Sequence, residues 1–129
     1  MYMELNLETK QLDIEYEVIK EHINEFPTPI MFKQGARLTV GEEYEGEEGW
    51  ENWFFCKTEE QVSGWVPAQV FRLVNPKQGV ALMDYTAQEL SVVQGEQLLG
   101  HNQLNGWVWC ASKKSELQGW VPLRNLTQI

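Results

Sequence analysis

The chain contains the tetrapeptide Gly-Trp-Val-Pro twice, at residues 64–67 and at residues 119–122. An aromatic cluster that ends in cysteine precedes each copy, Trp-Phe-Phe-Cys at residues 53–56 and Trp-Val-Trp-Cys at residues 107–110. Two pairs of motifs in the same order and at nearly the same spacing indicate a duplicated module. A self-similar period of this length determines the number of modules before any single strand or helix is assigned.

A third shared motif lies upstream of each aromatic cluster. Gln34-Gly35 corresponds to Gln94-Gly95, which lies 60 positions later, whereas the aromatic clusters are 54 positions apart and the tetrapeptides 55. The first repeat therefore has a longer loop between its Gln-Gly turn and its aromatic cluster. We predict an N-terminal extension over residues 1–15, a first module over residues 16–74 and a second module over residues 78–129. The breaker Asn-Pro lies in the short linker between the two modules.

Apolar residues follow the pattern of short strands throughout the chain. Met1, Met3, Leu5 and Leu7 alternate with more polar residues, which predicts a half-buried strand in the extension. Inside the repeats, alternating stretches such as residues 36–40 are separated by turns rich in Gly, Asn and Glu. Many short strands at about ten-residue spacing, without helical periodicity, predict an all-β protein made of small barrels.

The net charge of −9 is unevenly distributed along the chain. Residues 16–74 contain eleven acidic and five basic residues, whereas residues 75–129 contain four of each. Nucleic-acid binding needs a basic surface, so we expect no nucleic-acid partner. Clustered glutamates are typical of a solvated loop and would also attract a basic partner. The first repeat has six of them within ten positions: Glu42, Glu43, Glu45, Glu47, Glu48 and Glu51.

The residues that carry most enzyme and metal chemistry are scarce. Cys56 and Cys110 occupy equivalent positions of two separate cores, which predicts two buried thiols and no disulfide. The only histidines are His22 and His101, and Cys-x-x-Cys is absent, so we expect no catalytic residues, metal site or cofactor. No apolar run reaches the roughly 18 residues of a membrane-spanning helix, and no signal-peptide pattern opens the chain. We therefore expect a non-enzymatic, cytoplasmic protein without a membrane partner.

The second repeat contains five motifs in a fixed order: Ala-Leu-Met-Asp-Tyr (81–85), Glu-Leu-Ser-Val (89–92), Gln-Gly-Glu (94–96), the aromatic cluster and Gly-Trp-Val-Pro. This order is typical of the SH3 domain, and the chain resembles a tandem of SH3 domains, including their bacterial variants. The first repeat is more diverged, with Val-Ile-Lys-Glu-His (18–22) at the opening signature. The resemblance covers about residues 16–129. It implies two small SH3-like five-stranded barrels in tandem, joined by a short linker and preceded by a strand-like extension.

The resemblance also implies a peptide-binding groove in each repeat. SH3 domains bind proline-rich peptides, whose rigid polyproline II helix loses little conformational entropy on docking. In the second repeat the matching positions are Met83, Tyr85, Trp107, Pro122 and Asn125, with Glu89 at the acidic position. In the first repeat they are Lys20, His22, Trp53, Pro67 and Val70, with Pro29 at the acidic position. The second repeat keeps one of the three groove tyrosines of the family and the first keeps none.

Three functions are compatible with these features. The leading hypothesis is a non-enzymatic interaction module that binds an extended basic or proline-containing peptide segment of a partner protein. The second is an acidic inhibitor or immunity-type protein that blocks a basic partner. The third is a structural subunit that assembles with other copies of itself through the alternating edge of residues 1–7.

Overall fold

The structure is a computed structural model that describes residues 14–45 and 52–129. Within these ranges the chain forms twelve strands, two short 3-10 helices and no α-helix, so the prediction of an all-β fold is confirmed. No helix in the described ranges is long and apolar enough to cross a membrane. The predicted strand of the N-terminal extension lies outside the described residues, as do Glu47, Glu48 and Glu51.

The strands are short, and most of them are joined by turns of a few residues. In chain order they are β1 (Ile14–Val18), β2 (Met31–Phe32), β3 (Arg37–Glu43), β4 (Trp53–Thr58), β5 (Ser63–Pro67), β6 (Phe71–Asn75), β7 (Gln78–Ala81), β8 (Tyr85–Thr86), β9 (Gln97–Leu104), β10 (Trp107–Ser112), β11 (Gln118–Pro122) and β12 (Leu126–Gln128). The 3-10 helices are η1 (Ala68–Val70) and η2 (Leu123–Asn125). Each begins directly after a Gly-Trp-Val-Pro tetrapeptide, because its proline cannot donate a hydrogen bond that would continue the ladder.

The chain divides into two compact units. Among the described residues, unit 1 lies within residues 28–87, whereas unit 2 combines residues 14–27 with residues 88–129. Unit 1 contains a five-stranded sheet in the order β5-β4-β3-β7-β6 and a two-stranded sheet, β2-β8. Unit 2 contains a five-stranded sheet in the order β11-β10-β9-β1-β12. The five-stranded sheets match the predicted strand number, but both are open in their pairing, and closed barrels stay a prediction.

Strand β1 completes the sheet and the core of unit 2. It lies between β9 and β12, where Tyr16 pairs with Leu98 and Val18 pairs with Leu126. Gly100 on β9 leaves room for the Tyr16 ring of β1, because a Cβ at this position would lie 2.6 Å from Tyr16 Cε2. The buried cluster of unit 2 comprises Tyr16, Val18, Leu90, Val92, Leu98, Val108, Cys110, Val121 and Leu126. The start of the first repeat therefore supplies two core residues to strands of the second.

Strand β7 takes the equivalent place in unit 1. It lies between β3 and β6, where Val80 pairs with Arg37 and Ala81 pairs with Phe71. Ala81 opens the Ala-Leu-Met-Asp-Tyr signature of the second repeat. The opening strands of the two repeats have thus changed places, and each completes the sheet of the other repeat.

The exchange continues beyond the opening strands. Phe32 pairs with Tyr85 in unit 1, and His22 bridges Val92 in unit 2. The predicted boundaries 16–74 and 78–129 describe the repeats along the sequence, but the compact units cut across them. β1 also begins at Ile14, inside the segment that we predicted as the extension.

Candidate functional site

The structure distributes the nine predicted site residues between the two units, and the exchange of opening strands decides which residues meet. Unit 2 contains His22, Glu89, Trp107, Pro122 and Asn125. Unit 1 contains Trp53, Pro67, Met83 and Tyr85. The six residues predicted to form one groove in the second repeat are therefore divided, and His22 of the first repeat takes the place of Tyr85 beside Trp107.

A tight hairpin positions Trp107 in unit 2. Asn105 and Gly106 form a two-residue turn between β9 and β10, with φ angles of 47° and 88°. Asn-Gly is the preferred sequence for such a turn because both residues tolerate the left-handed region. Trp107 follows the turn directly, pairs with Pro122 on β11 and is half-buried. The turn therefore places the tryptophan at the end of the sheet rather than within its core.

His22 connects Trp107 with Glu89. Its Nε2 atom lies 2.7 Å from Glu89 Oε1, and its ring meets the Trp107 ring edge to face at a centroid distance of 5.5 Å. The side chains of His22 and Glu89 are only 17% and 15% exposed. Two backbone hydrogen bonds with Val92 hold His22, since His22 N donates to Val92 O and Val92 N donates to His22 O. The three side chains form a compact cluster of one carboxylate and two aromatic rings.

Asn125, the last residue of η2, binds the chain segment that precedes His22. It is buried, and its Nδ2 donates to the carbonyl oxygens of Lys20 and Glu21, both at 3.2 Å. Ile19 N donates in turn to Asn125 O at 2.8 Å. Asn125 therefore anchors the turn that follows β1, and its amide nitrogen is occupied by the chain's own backbone. Pro122 is also buried.

The matching residues of unit 1 are part of its interior. Trp53, Met83 and Tyr85 are all buried, as are Pro67 and Val70. Tyr85 donates from its hydroxyl to Trp65 O at 3.3 Å, and its ring packs against Phe32 at a centroid distance of 5.6 Å. Pro29 stands at the acidic position of the first repeat, so that position carries no charge. This set offers neither an accessible aromatic face nor a charge for a ligand.

The two cysteines have the environment expected of structural thiols. Cys56 and Cys110 are both free and buried, which confirms the prediction of two buried thiols without a disulfide. Burial raises the pKa of each thiol to about 12. Both are therefore neutral and unreactive at physiological pH, because the thiolate is the nucleophile. No group of three His, Cys, Asp or Glu side chains suited to a metal ion occurs within residues 14–45 and 52–129.

Sequence reasoning did not find the contact between His22 and Glu89. The two residues are 67 positions apart and belong to different repeats. Only the exchange of opening strands brings them together, and neither residue type nor spacing signals that exchange. No family model, curated protein or solved structure matches the chain.

Proposed function

We propose that the chain is a cytoplasmic, non-enzymatic interaction protein with two SH3-like units, and that unit 2 binds an extended basic peptide segment of a partner protein. The observation that carries the proposal is the half-buried Trp107 ring beside the Glu89 carboxylate, both in contact with His22. The SH3 resemblance supports it, because it assigns these two residues to the groove and to the acidic position.

The chemistry of the cluster suits such a ligand. The Trp107 ring offers an apolar face to proline or aliphatic side chains, and Glu89 can accept a charge-assisted hydrogen bond from Arg or Lys. A proline-containing segment is already extended, so its docking costs little conformational entropy. Unit 2 is favoured over unit 1 because the matching residues of unit 1 are buried and lack a carboxylate.

The proposal is tested on the whole chain by titrating basic proline-containing peptides and following the tryptophan indole signals by NMR. We expect the Trp107 signal to move and saturate, while the signal of Trp53, which is buried in unit 1, stays in place. Glu89→Gln should weaken binding about tenfold, because a charge-assisted hydrogen bond becomes a neutral one. A Trp107 signal that no peptide moves would contradict the proposal.

The same protein preparations separate this proposal from the two alternatives. An acidic blocking protein would lose its partner when Glu43, Glu45, Glu47 and Glu48 are replaced by Lys, and Trp107→Ala would have little effect. An assembly subunit would sediment as a dimer or a larger species without any peptide. Binding in the proposed groove of unit 2 would instead depend on Trp107 and tolerate the charge reversal.

A further inference from the structure

A second aromatic cluster lies in unit 1 and contains none of the residues that the SH3 resemblance assigns to a groove. The Trp65 ring lies 5.1 Å from the Tyr44 ring and 5.2 Å from the Phe55 ring, at interplanar angles of 89° and 70°. Phe55 on β4 and Trp65 on β5 are direct cross-strand partners, so both side chains project from one face of the sheet. Tyr44 follows β3 and is held there by its N–H, which donates to Trp53 O at 2.7 Å.

Part of this cluster remains accessible. Phe55 is 40% exposed, and Tyr44 and Trp65 are half-buried. The equivalent cross-strand pair of unit 2, Trp109 and Trp120, has a similar edge-to-face geometry at 5.3 Å, but each ring is only 2% exposed. The aromatic pair at this position of the repeat is therefore buried in unit 2 and partly accessible in unit 1.

Negative charge lies next to Tyr44 in the sequence. Glu42 and Glu43 at the end of β3, together with Glu45, flank Tyr44 in sequence, and all three are exposed. One cation shares the outer face of β4, since Lys57 lies two positions beyond Phe55. Lys57 pairs with Thr39 on β3 and with Ser63 on β5, whereas Glu43 pairs with Phe54 near the other end of β4. The end of the cluster near Tyr44 is therefore strongly acidic.

We infer that Tyr44, Phe55 and Trp65 form a binding site for arginine side chains of an extended partner segment. A guanidinium group is attracted to the negative face of an aromatic ring, and edge-to-face packing leaves part of a ring face open beside the neighbouring ring. Arginine fits better than lysine, because its planar group stacks on a ring while its N–H groups still reach carboxylates. The flanking glutamates supply those carboxylates and exclude acidic partners.

The test uses the full chain with labelled tryptophans and a short Ser-Arg-Gly repeat peptide. We expect the Trp65 indole signal to move and saturate. The same peptide with citrulline, the neutral isostere of arginine, should bind about tenfold more weakly, because it keeps the shape and loses the charge. Equal binding of the two peptides, or an unmoved Trp65 signal, would overturn the inference.

Matched variants locate the site. Phe55→Thr should weaken binding of the arginine peptide about tenfold and keep strand propensity, because threonine is β-branched. Leu73→Thr is the control, since Leu73 is 52% exposed on β6, at the opposite edge of the same sheet. Replacing Glu42, Glu43 and Glu45 by Gln should weaken binding and reduce its salt dependence. Unchanged affinity in Phe55→Thr would refute the site even if the peptide binds elsewhere.

This site and the proposed groove of unit 2 can fail separately. Their reporters are different tryptophans, Trp65 in unit 1 and Trp107 in unit 2. Trp107→Ala should leave the arginine-dependent shift of Trp65 unchanged. A shift of Trp65 that disappears in Trp107→Ala would assign the binding to unit 2 and contradict a separate site on unit 1.

Discussion

His22 is the residue whose role changes most between sequence and structure. The SH3 resemblance assigns it to a groove in the first repeat, but its ring lies against Trp107 of the second repeat and its Nε2 contacts Glu89. If a ligand cation pairs with Glu89, as we propose, His22 occupies the place of that cation in the free protein. His22 then competes with the ligand for the Glu89 carboxylate.

This competition predicts an unusual gain of affinity. His22→Ala removes the partner of Glu89 and should raise the affinity for a basic peptide about fivefold, measured by calorimetry. The same change should lower the free energy of unfolding by about 1–2 kcal/mol, because it leaves a largely buried carboxylate without its hydrogen bond. A loss of affinity would instead show that His22 contacts the ligand.

The cysteines predict a loss of stability in alkaline solution. In the unfolded chain each thiol titrates near 9.0, whereas burial raises the pKa of Cys56 and Cys110 to about 12. The unfolded state therefore releases these protons first, and the free energy of unfolding should fall as the pH rises from about 9 to about 12. Urea unfolding at several pH values measures the slope. Replacing both cysteines by valine should make it shallower, and an unchanged slope would assign it to other groups.

At the scale of single elements, β1 and β7 decide the architecture, since each lies between two strands of the other repeat. Strand β1 can lie beside β9 because β9 has a glycine where the Tyr16 ring of β1 packs. Gly100 illustrates this, because an added Cβ would lie 2.6 Å from Tyr16 Cε2 and 2.9 Å from Val108 Cγ1. A glycine on β9 thus reserves the space for the tyrosine of β1.

Gly100→Ala should therefore destabilise unit 2 by about 1–3 kcal/mol, as expected for overpacking. The cost should be smaller in a Tyr16→Leu background, where the ring that meets the new methyl group is gone. Chemical denaturation of the two single variants and the double variant measures the coupling. Strictly additive effects would show that Gly100 is needed for another reason than its contact with Tyr16.

At the scale of the whole molecule, the described part of unit 1 lies between the two segments of unit 2 in sequence. The two ends of this part of unit 1 lie close together, because Ala87 N donates to Ile30 O at 2.9 Å. The flanking segments of unit 2 also meet, because Asn24 N donates to Ser91 Oγ at 2.9 Å. In each unit, therefore, a hydrogen bond joins the two chain segments that lead to the other unit.

This arrangement predicts which fragments fold. A fragment of residues 28–87 should fold alone, whereas residues 78–129 should not, because they lack strand β1, which lies between β9 and β12. Adding a peptide of residues 14–27 to residues 88–129 should restore a folded unit 2. Two-dimensional NMR spectra of the fragments give the answer, with residues 16–74 as a further fragment expected to stay unfolded. A folded spectrum from residues 78–129 alone would show that β7 can replace β1 in the sheet of unit 2, and would contradict the prediction that unit 2 requires β1.

Local patterns in the sequence determined much of this protein. Alternating apolar residues and Gly-rich turns indicated strands, the two tetrapeptides indicated a duplication, and equivalent cysteines indicated buried thiols. Asn105-Gly106 is a hairpin signal of the same kind, because its turn depends on two adjacent residues. These features could be predicted because short-range sterics and burial decide them.

Only the tertiary structure decided which opening strand completes which sheet, and with it which residues meet at the candidate site. Val18 and Ala81 stand at the same position of two similar repeats, and either apolar strand suits either sheet by pattern alone. The choice depends on contacts between residues far apart in the chain, such as Tyr16 against Gly100 and His22 against Glu89. Periodicity is the same for both pairings, so packing in three dimensions had to select one.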